Sequence, residues 1–88
     1  MKVIKKDGRT QKFDLDKIKT SIYRASDDAE QPLNESDIDN IAGDIETNIK
    51  DLKKDSVNSY VIQELVVDQL EKSGFNVLAK YYNLGNLE

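Results

Sequence analysis

Four apolar stripes at helical spacing constrain the fold of this chain more than any other sequence feature. In the most regular stripe, isoleucine or alanine recurs every three or four residues between 38 and 49, and acids fill the opposite face. That period places the apolar side chains on one side of an α-helix. The stripes are Leu15, Ile18, Ile22 and Ala25; Ile38, Ile41, Ala42, Ile45, Ile49 and Leu52; Ile62, Leu65, Val66 and Leu70; and Val77, Leu78, Tyr81 and Tyr82. The pattern predicts four helices, each with one buried face.

Capping and turn residues set the expected limits of these helices. The first should run from Leu15, behind Asp14 as N-cap, to Ala25 or Ser26; the second should begin near Asn34 or Ser36; the third should begin near Ser59 and end at Gly74; the fourth should span 76–84. Residues 53–57 are expected to be a connection. We find no internal repeat in the sequence.

A β-hairpin is predicted before the first helix. Asp7-Gly8 lies between two short extended runs, which favours a two-residue type I′ turn with positive φ at both positions. The expected pairs are Lys6 with Arg9, Lys5 with Thr10, Ile4 with Gln11, and Val3 with Lys12. In that register Ile4 and Phe13 face the core, and Val3, Lys5, Thr10 and Lys12 face the other way.

The predicted fold class is therefore α+β, with an N-terminal β-hairpin, or small sheet, packed on a four-helix bundle. The chain has 88 residues, which suits one small domain with a modest core. We expect this domain to span residues 1–86. The last two residues, Leu87-Glu88, are interpreted as a cloning scar.

The composition excludes several classes of function. The chain has no Cys and no His, which excludes thiol and imidazole catalysis and a Cys/His zinc site. Its acidic residues are scattered along helix faces, as in Asp37, Asp44 and Asp51, and no catalytic motif is present. We therefore expect a domain that is not catalytic by itself. Without a signal-like or membrane-spanning apolar run, we also expect a cytoplasmic location and no membrane partner.

The charge distribution is strongly uneven. Residues 1–24 hold eight basic and three acidic side chains, whereas residues 25–52 hold one basic and nine acidic side chains. A basic end of this kind could hold a small anion. The acidic middle would repel the phosphates of duplex DNA, so we expect no direct nucleic-acid binding by this domain.

The basic hairpin is the main candidate for a binding site. Lys5 and Lys6 lie close to Lys17 in the sequence, and Lys17 lies at a helix start where backbone N–H groups can hold phosphate. Val3 could add an apolar wall for a base, although core packing would also explain it. Ser59 offers a hydroxyl, although an N-cap role would also explain it. The alternative for the whole cluster is a set of solvated charges that prevents edge-to-edge strand pairing.

Two stretches of the chain resemble the ATP-cone domain. "VIKKDGRTQKFDLDKI" is similar to that family's opening, a strand, Lys-(Arg/Lys)-Asp-Gly, a second strand ending near Phe-Asp, and a Lys-Ile pair in the first helix. "SYVIQELVVDQLEKSGFNVLAKYY" is similar to its closing helices. ATP-cones are regulatory modules that bind ATP or dATP, in ribonucleotide reductases and in the repressor of ribonucleotide reductase genes.

The resemblance implies a set of nucleotide-binding residues. Val3, Lys5 and Lys6 match positions that line the nucleotide, and Lys17 matches a lysine that contacts phosphate. Gln11 and Asp14 match positions of polar contacts to the base or ribose, and Ser59 matches a hydroxyl residue at the start of the helix that borders the site. The family commonly has an acid at the position of Gln11, so the resemblance does not fix how the base is recognised.

The leading functional expectation is the N-terminal activity domain of a ribonucleotide reductase. ATP or dATP would be the effector, and Mg²⁺ could bind together with its phosphates. The partner would be the rest of the reductase or another subunit. Two alternatives stay open. One is a protein-interaction module without a ligand, docking through Tyr81 and Tyr82. The other is the ATP-cone of a nucleotide-sensing transcriptional regulator, with its DNA-contacting part elsewhere.

Overall fold

A three-stranded sheet covers one end of four helices in this computed structural model, which describes residues 1–85. The elements in chain order are β1 (Lys2–Ile4), β2 (Thr10–Lys12), α1 (Leu15–Asp28), α2 (Glu35–Asp51), β3 (Ser56–Asn58), α3 (Ser59–Lys72) and α4 (Asn76–Gly85). The α+β class is confirmed, and so are the four helices. The expected domain end at residue 86 and the expected cloning scar at 87–88 lie outside the described residues.

The sheet contains a third strand that the sequence pattern did not predict. Its order is β2-β1-β3, with β1 antiparallel to β2 and parallel to β3. The expected hairpin on a four-helix bundle is therefore only partly right. β3 has a single buried residue, Val57, and so short a segment carries no readable alternation. It becomes a strand because its backbone pairs with β1.

The hairpin register differs by one residue from the predicted one. The observed pairs are Lys2 with Lys12, Val3 with Gln11, and Ile4 with Thr10. The loop holds three residues, because the Gly8 N–H donates to the Lys5 carbonyl (3.0 Å) and Gly8 alone has positive φ, 87°. This is a type I turn followed by a left-handed glycine. The one-residue shift exchanges the faces, so Val3 is buried and Ile4 is only half-buried.

The helices form a ring around the core. α1 and α3 each pack against both α2 and α4, and the apolar stripes meet in the middle. The largest fully buried side chains are Ile22, Ile38, Ile45, Ile49, Leu70, Leu78 and Val66. Asn34 caps α2 through a capping box with Asp37, and the helix begins at Glu35, close to the start expected near Asn34 or Ser36. α1 continues to Asp28, two residues past the furthest limit predicted.

Two helices end in the same hydrogen-bonded motif with different residues at the left-handed position. After α3, Gly74 has φ 88°, and Phe75 N–H donates to the Leu70 carbonyl (2.9 Å). After α1, Glu30 has φ 53°, and Gln31 N–H donates to the Ser26 carbonyl (3.0 Å). Both are Schellman motifs, in which glycine is preferred because it lacks Cβ. Glu30 is therefore a strained residue.

Replacing Glu30 with glycine should stabilise the protein by about 1 kcal/mol, because glycine relieves the left-handed strain. The free energy of unfolding in urea measures the effect. Glu30→Gln is the matched control, since it removes the charge and keeps the strain. Gly74→Ala should destabilise by a similar amount, because a Cβ there meets no atom within 4 Å and only φ changes the energy. A Glu30→Gln variant as stable as Glu30→Gly would show that charge, not backbone strain, sets the difference.

Candidate functional site

The inner side of the sheet, facing the helices, carries part of the predicted site. Val3 and Gln11 are direct cross-strand partners and share this face. Lys5, two residues after Val3, continues along it, and its N–H donates to the Arg9 carbonyl (2.7 Å). Val3 is only 8% exposed and belongs to the core. The packing role considered for Val3 is therefore observed, and little of its surface is left for a ligand.

A shallow depression lies between β2 and the start of α1. It has a volume of about 530 Å³ and is lined by Gln11, Lys12, Phe13, Asp14 and Lys17. This volume is within the range of small-molecule sites, about 300–1,000 Å³. The structure thus brings three of the predicted residues together, Gln11, Asp14 and Lys17. Lys12 and Phe13 border the same space and were not among the predicted site residues.

The start of α1 is less available to an anion than its sequence suggested. Asp14 is the N-cap, and its carboxylate accepts from the Asp16 N–H (3.0 Å). The Lys17 N–H donates to the Asp14 carbonyl (3.2 Å). These two backbone donors are already engaged. The contribution of this turn to anion binding therefore rests on the Lys17 ammonium.

Ser59 lies at the start of α3, next to the end of β1. The parallel pairing of β1 and β3 ends at Ile4 and Asn58, so Lys5 and Ser59 are the next residues along the two strands. Asn58, not Ser59, is the N-cap, and it makes no side-chain capping bond. The expected capping role of Ser59 is therefore wrong. Its hydroxyl makes no hydrogen bond within residues 1–85, which leaves it available beside Lys5.

Three lysines of the predicted site have no acidic partner. Lys5, Lys6 and Lys17 form no ion pair with any described residue, unlike Arg9, which contacts Asp7 at 2.6 Å. Lys6 lies in the exposed hairpin loop and borders neither depression. Positive charge with no counter-charge is what a polyphosphate site requires.

A second depression shares Lys17 with the first. It has a volume of about 360 Å³ and is lined by Asp16, Lys17, Thr20, Ser21 and Arg24. Arg24 follows Lys17 by seven residues, two helical turns, which places both cations on one face of α1. That spacing is the signal in the sequence that could have revealed Arg24.

Tyr82 is one of the two tyrosines proposed as a docking surface, and it is buried instead. It is 5% exposed, and its hydroxyl lies 3.1 Å from the Ser21 Oγ. Burial raises the pKa of the Tyr82 phenol, and the contact with Ser21 lowers it by a smaller amount. Tyr81 remains 41% exposed. The pair therefore does not form one docking surface.

The carboxylates within residues 1–85 serve structural contacts or face solvent. Asp37 completes the α2 capping box, and Asp44 accepts from the Gln69 amide (3.3 Å). Lys19 joins α1 to α2 through Asp39 (3.1 Å), and this hydrogen bond raises the pKa of Lys19. In the described part of the chain no three acidic residues group as metal ligands. None of its helices has both the length and the apolar character needed to cross a bilayer.

The family of this chain is shown by its match to the model of a known domain. The model of the ATP cone domain matches residues 1–88. The chain belongs to the ATP-cone family. The expected resemblance is confirmed over the whole sequence, and the ATP-cone is a nucleotide-sensing module whose effectors are ATP and dATP.

Similar curated proteins carry the name transcriptional repressor NrdR. The ATP-cone described here is 38% identical to the one from Streptococcus mutans over 68 residues, which is 77% of this chain and 40% of that protein. It is 39% identical to the one from Carboxydothermus hydrogenoformans over 70 residues, 80% of this chain and 44% of that protein. The ATP-cone thus spans less than half the length of these relatives.

These relatives overturn two expectations. The parent protein was expected to be a ribonucleotide reductase, with the rest of the reductase as partner, and the relatives are transcriptional repressors instead. We also expected no direct nucleic-acid binding by this domain. This expectation is wrong as well, because repressors of transcription act at DNA.

The fold explains why the charge argument against nucleic acid failed. The acidic residues 25–52 were assumed to lie beside the basic residues 1–24 in space. In the structure most of the acidic segment is α2, which packs mainly against α1 and α3, whereas the lysine-rich strands form the sheet.

Proposed function

We propose that this ATP-cone is the regulatory adenine-nucleotide sensor of a transcriptional regulator. The observation that carries the proposal is the Gln11–Asp14–Lys17 depression in a chain of this family, with Lys17 free of any ion pair among the described residues. The similarity to transcriptional repressors favours a regulator as parent protein. A cytoplasmic location and a domain of residues 1–86 remain predictions that fit this role.

The phosphates would lie between the end of β1 and the start of α1. Lys17 borders the depression, whereas Lys5 and Lys6 line neither depression and would reach the phosphates from the end of β1 and from the hairpin loop. Ser59 adds a hydroxyl from the side of α3. The first turn of α3 has no acidic residue and no capping side chain, so its N–H groups can also face phosphate oxygens.

Polar groups on the other side of the depression would contact the nucleoside. Gln11 offers an amide and Asp14 a carboxylate for hydrogen bonds to the base or the ribose. Val3 would close the site from below with its small exposed surface. Mg²⁺ would be held by the phosphates and water, since the nearby carboxylate, Asp14, already caps α1.

Regulation would follow from a difference in affinity between assembly states. A nucleotide that binds one arrangement of subunits more tightly shifts the population toward that arrangement, by no more than the difference in binding free energy. ATP and dATP differ by a single ribose hydroxyl, so discrimination between them would depend on Gln11 and Asp14.

A thermal-shift comparison of ATP, dATP and GTP tests the proposal. A ligand present at 100 times its Kd stabilises the folded state by about 2.7 kcal/mol, which corresponds to a rise in Tm of roughly 11–22 °C for a domain of this size. We expect that rise with ATP or dATP and a smaller one with GTP. Unchanged melting with all three nucleotides would favour the ligand-free interaction module instead.

A further inference from the structure

The outer face of the sheet carries a cluster of lysines of which only Lys12 also borders the proposed nucleotide site. Lys2 and Lys12 are direct cross-strand partners, and both are exposed on the side away from the helices. Two more lysines, Lys53 and Lys54, precede β3, and the Lys2 N–H donates to the Asp55 carbonyl at 2.9 Å. We call Lys2, Lys12, Lys53 and Lys54 the outer basic patch.

This arrangement costs stability in the isolated protein. Like charges directly opposite each other on antiparallel strands repel. Neither Lys2 nor Lys12 forms an ion pair among the described residues, and Lys53 and Lys54 form none either. Asp55, which follows Lys54 in the chain, adds one carboxylate next to these lysines. The patch thus concentrates positive charge that a multiply charged anion could neutralise.

Within residues 1–85, the outer face of the sheet is solvent-exposed apart from the half-buried Ile4. The helices pack on the inner side, where Val3 and Val57 are buried, while Thr10, Ser56 and Asn58 on the outer side are exposed. These short polar side chains can donate hydrogen bonds to phosphate oxygens. The face is therefore an unpartnered surface with basic and hydroxyl groups.

We propose that the outer basic patch contacts the phosphate backbone of double-stranded DNA, an inference that rests on the proposed role in a transcriptional regulator. Charge complementarity favours a polyanion, because the patch joins four lysines, and Asp51 and Asp55 are the acids that flank Lys53 and Lys54 in the chain. Lysine side chains are long and flexible, so those of the patch can each reach a phosphate oxygen of a duplex lying across this face. The contacts would position the protein on DNA without reading its sequence.

The nucleotide and the DNA would then lie on opposite faces of the same strands. Residues alternate along β1, so Val3 and Lys5 point inward while Lys2 and Ile4 point outward. Lys12 is shared, because it also lines the depression, whereas Lys2 and Lys54 can be changed without touching the nucleotide site.

The salt dependence of DNA binding tests the patch, using the full chain and a mixed-sequence duplex of about 30 base pairs. With about four phosphate contacts, log K should fall with log salt at a slope of roughly −3 to −4. The Lys2→Gln/Lys54→Gln variant should bind about tenfold more weakly at low salt, with a slope smaller by about 2. Both residues lie outside the proposed nucleotide site, so the ATP thermal shift should stay unchanged.

A matched control keeps the net charge equal. Lys72→Gln/Lys80→Gln removes two exposed lysines from α3 and α4, and Lys72 lies roughly 20 Å along α3 from the sheet. It should bind DNA like the wild type. The proposal is overturned if the wild type fails to bind the duplex at low salt, if both double variants weaken binding equally, or if a polyglutamate competitor displaces the duplex at equal charge concentration. Loss of the ATP shift in the wild type would instead count against the nucleotide-sensor role alone.

Discussion

Reversing the charge of Lys5 and Lys17 together should abolish ATP binding while the domain stays folded. In the proposed site the two ammonium groups approach the phosphates from β1 and α1, and neither forms an ion pair among the described residues. Hydrogen bonds to charged groups contribute about 1.5–3 kcal/mol each. Loss of two such bonds lowers affinity by at least about 100-fold. Titration calorimetry with ATP on Lys5→Glu/Lys17→Glu measures this change.

The control for this experiment separates a local from a general charge effect. Lys72→Glu/Lys80→Glu carries the same change in net charge on α3 and α4 and should bind ATP normally. Because Lys5 is half-buried, the Lys5→Gln/Lys17→Gln variant provides a milder test if the glutamates reduce folding. An unchanged ATP affinity in a folded Lys5/Lys17 variant would refute the assignment of the site.

Truncating Leu78 should cost the domain a large part of its stability. Leu78 lies on α4 with no exposed surface and packs in the core formed by the four helices. Leu→Ala at such a position removes apolar contacts and leaves a cavity, at a cost of about 3–5 kcal/mol. A domain of this length has roughly 4–13 kcal/mol in total. The midpoint of urea unfolding should therefore fall steeply in Leu78→Ala.

The preceding residue gives the matched control. Val77 lies on the same helix but is 52% exposed, so Val77→Ala should change the free energy of unfolding by no more than about 0.5 kcal/mol. Similar losses at the two positions would mean that α4 does not present Leu78 to the core.

The helices could be predicted because their signals are local. The stripe at Ile38, Ile41, Ile45 and Ile49 repeats at the helical period, and Asn34 caps α2 through its own neighbour Asp37. Each of these interactions joins residues three or four positions apart. The starts of α1, α3 and α4 at Leu15, Ser59 and Asn76 follow the same rule and agree with the structure.

The hairpin shows where local reasoning failed. Asp7-Gly8 correctly marked the turn, but this dipeptide is compatible both with a two-residue loop and with the observed three-residue loop closed by Lys5 and Arg9. Burial of Val3 beside Val57 selects the observed register, because the alternative would expose Val3 and bury half-exposed Ile4. That choice depends on β3, more than fifty residues away in the chain.

Part of the candidate site could also be predicted from the sequence. The basic hairpin and Lys17 stood out in the sequence, and family resemblance added Gln11, Asp14 and Ser59. Only the structure shows that Gln11, Asp14 and Lys17 border one depression and that Ser59 follows the strand beside Lys5. It also shows that Val3 is mostly buried and that Lys6 borders neither depression.

The sequence by itself determined the helices, the turn and the excess of positive charge at one end, since each depends on residues close together in the chain. The tertiary structure alone decided the third strand, the strand register and the side of the sheet on which each lysine lies. Those features depend on pairing between distant segments, and a change of one residue in that pairing moves every side chain to the opposite face.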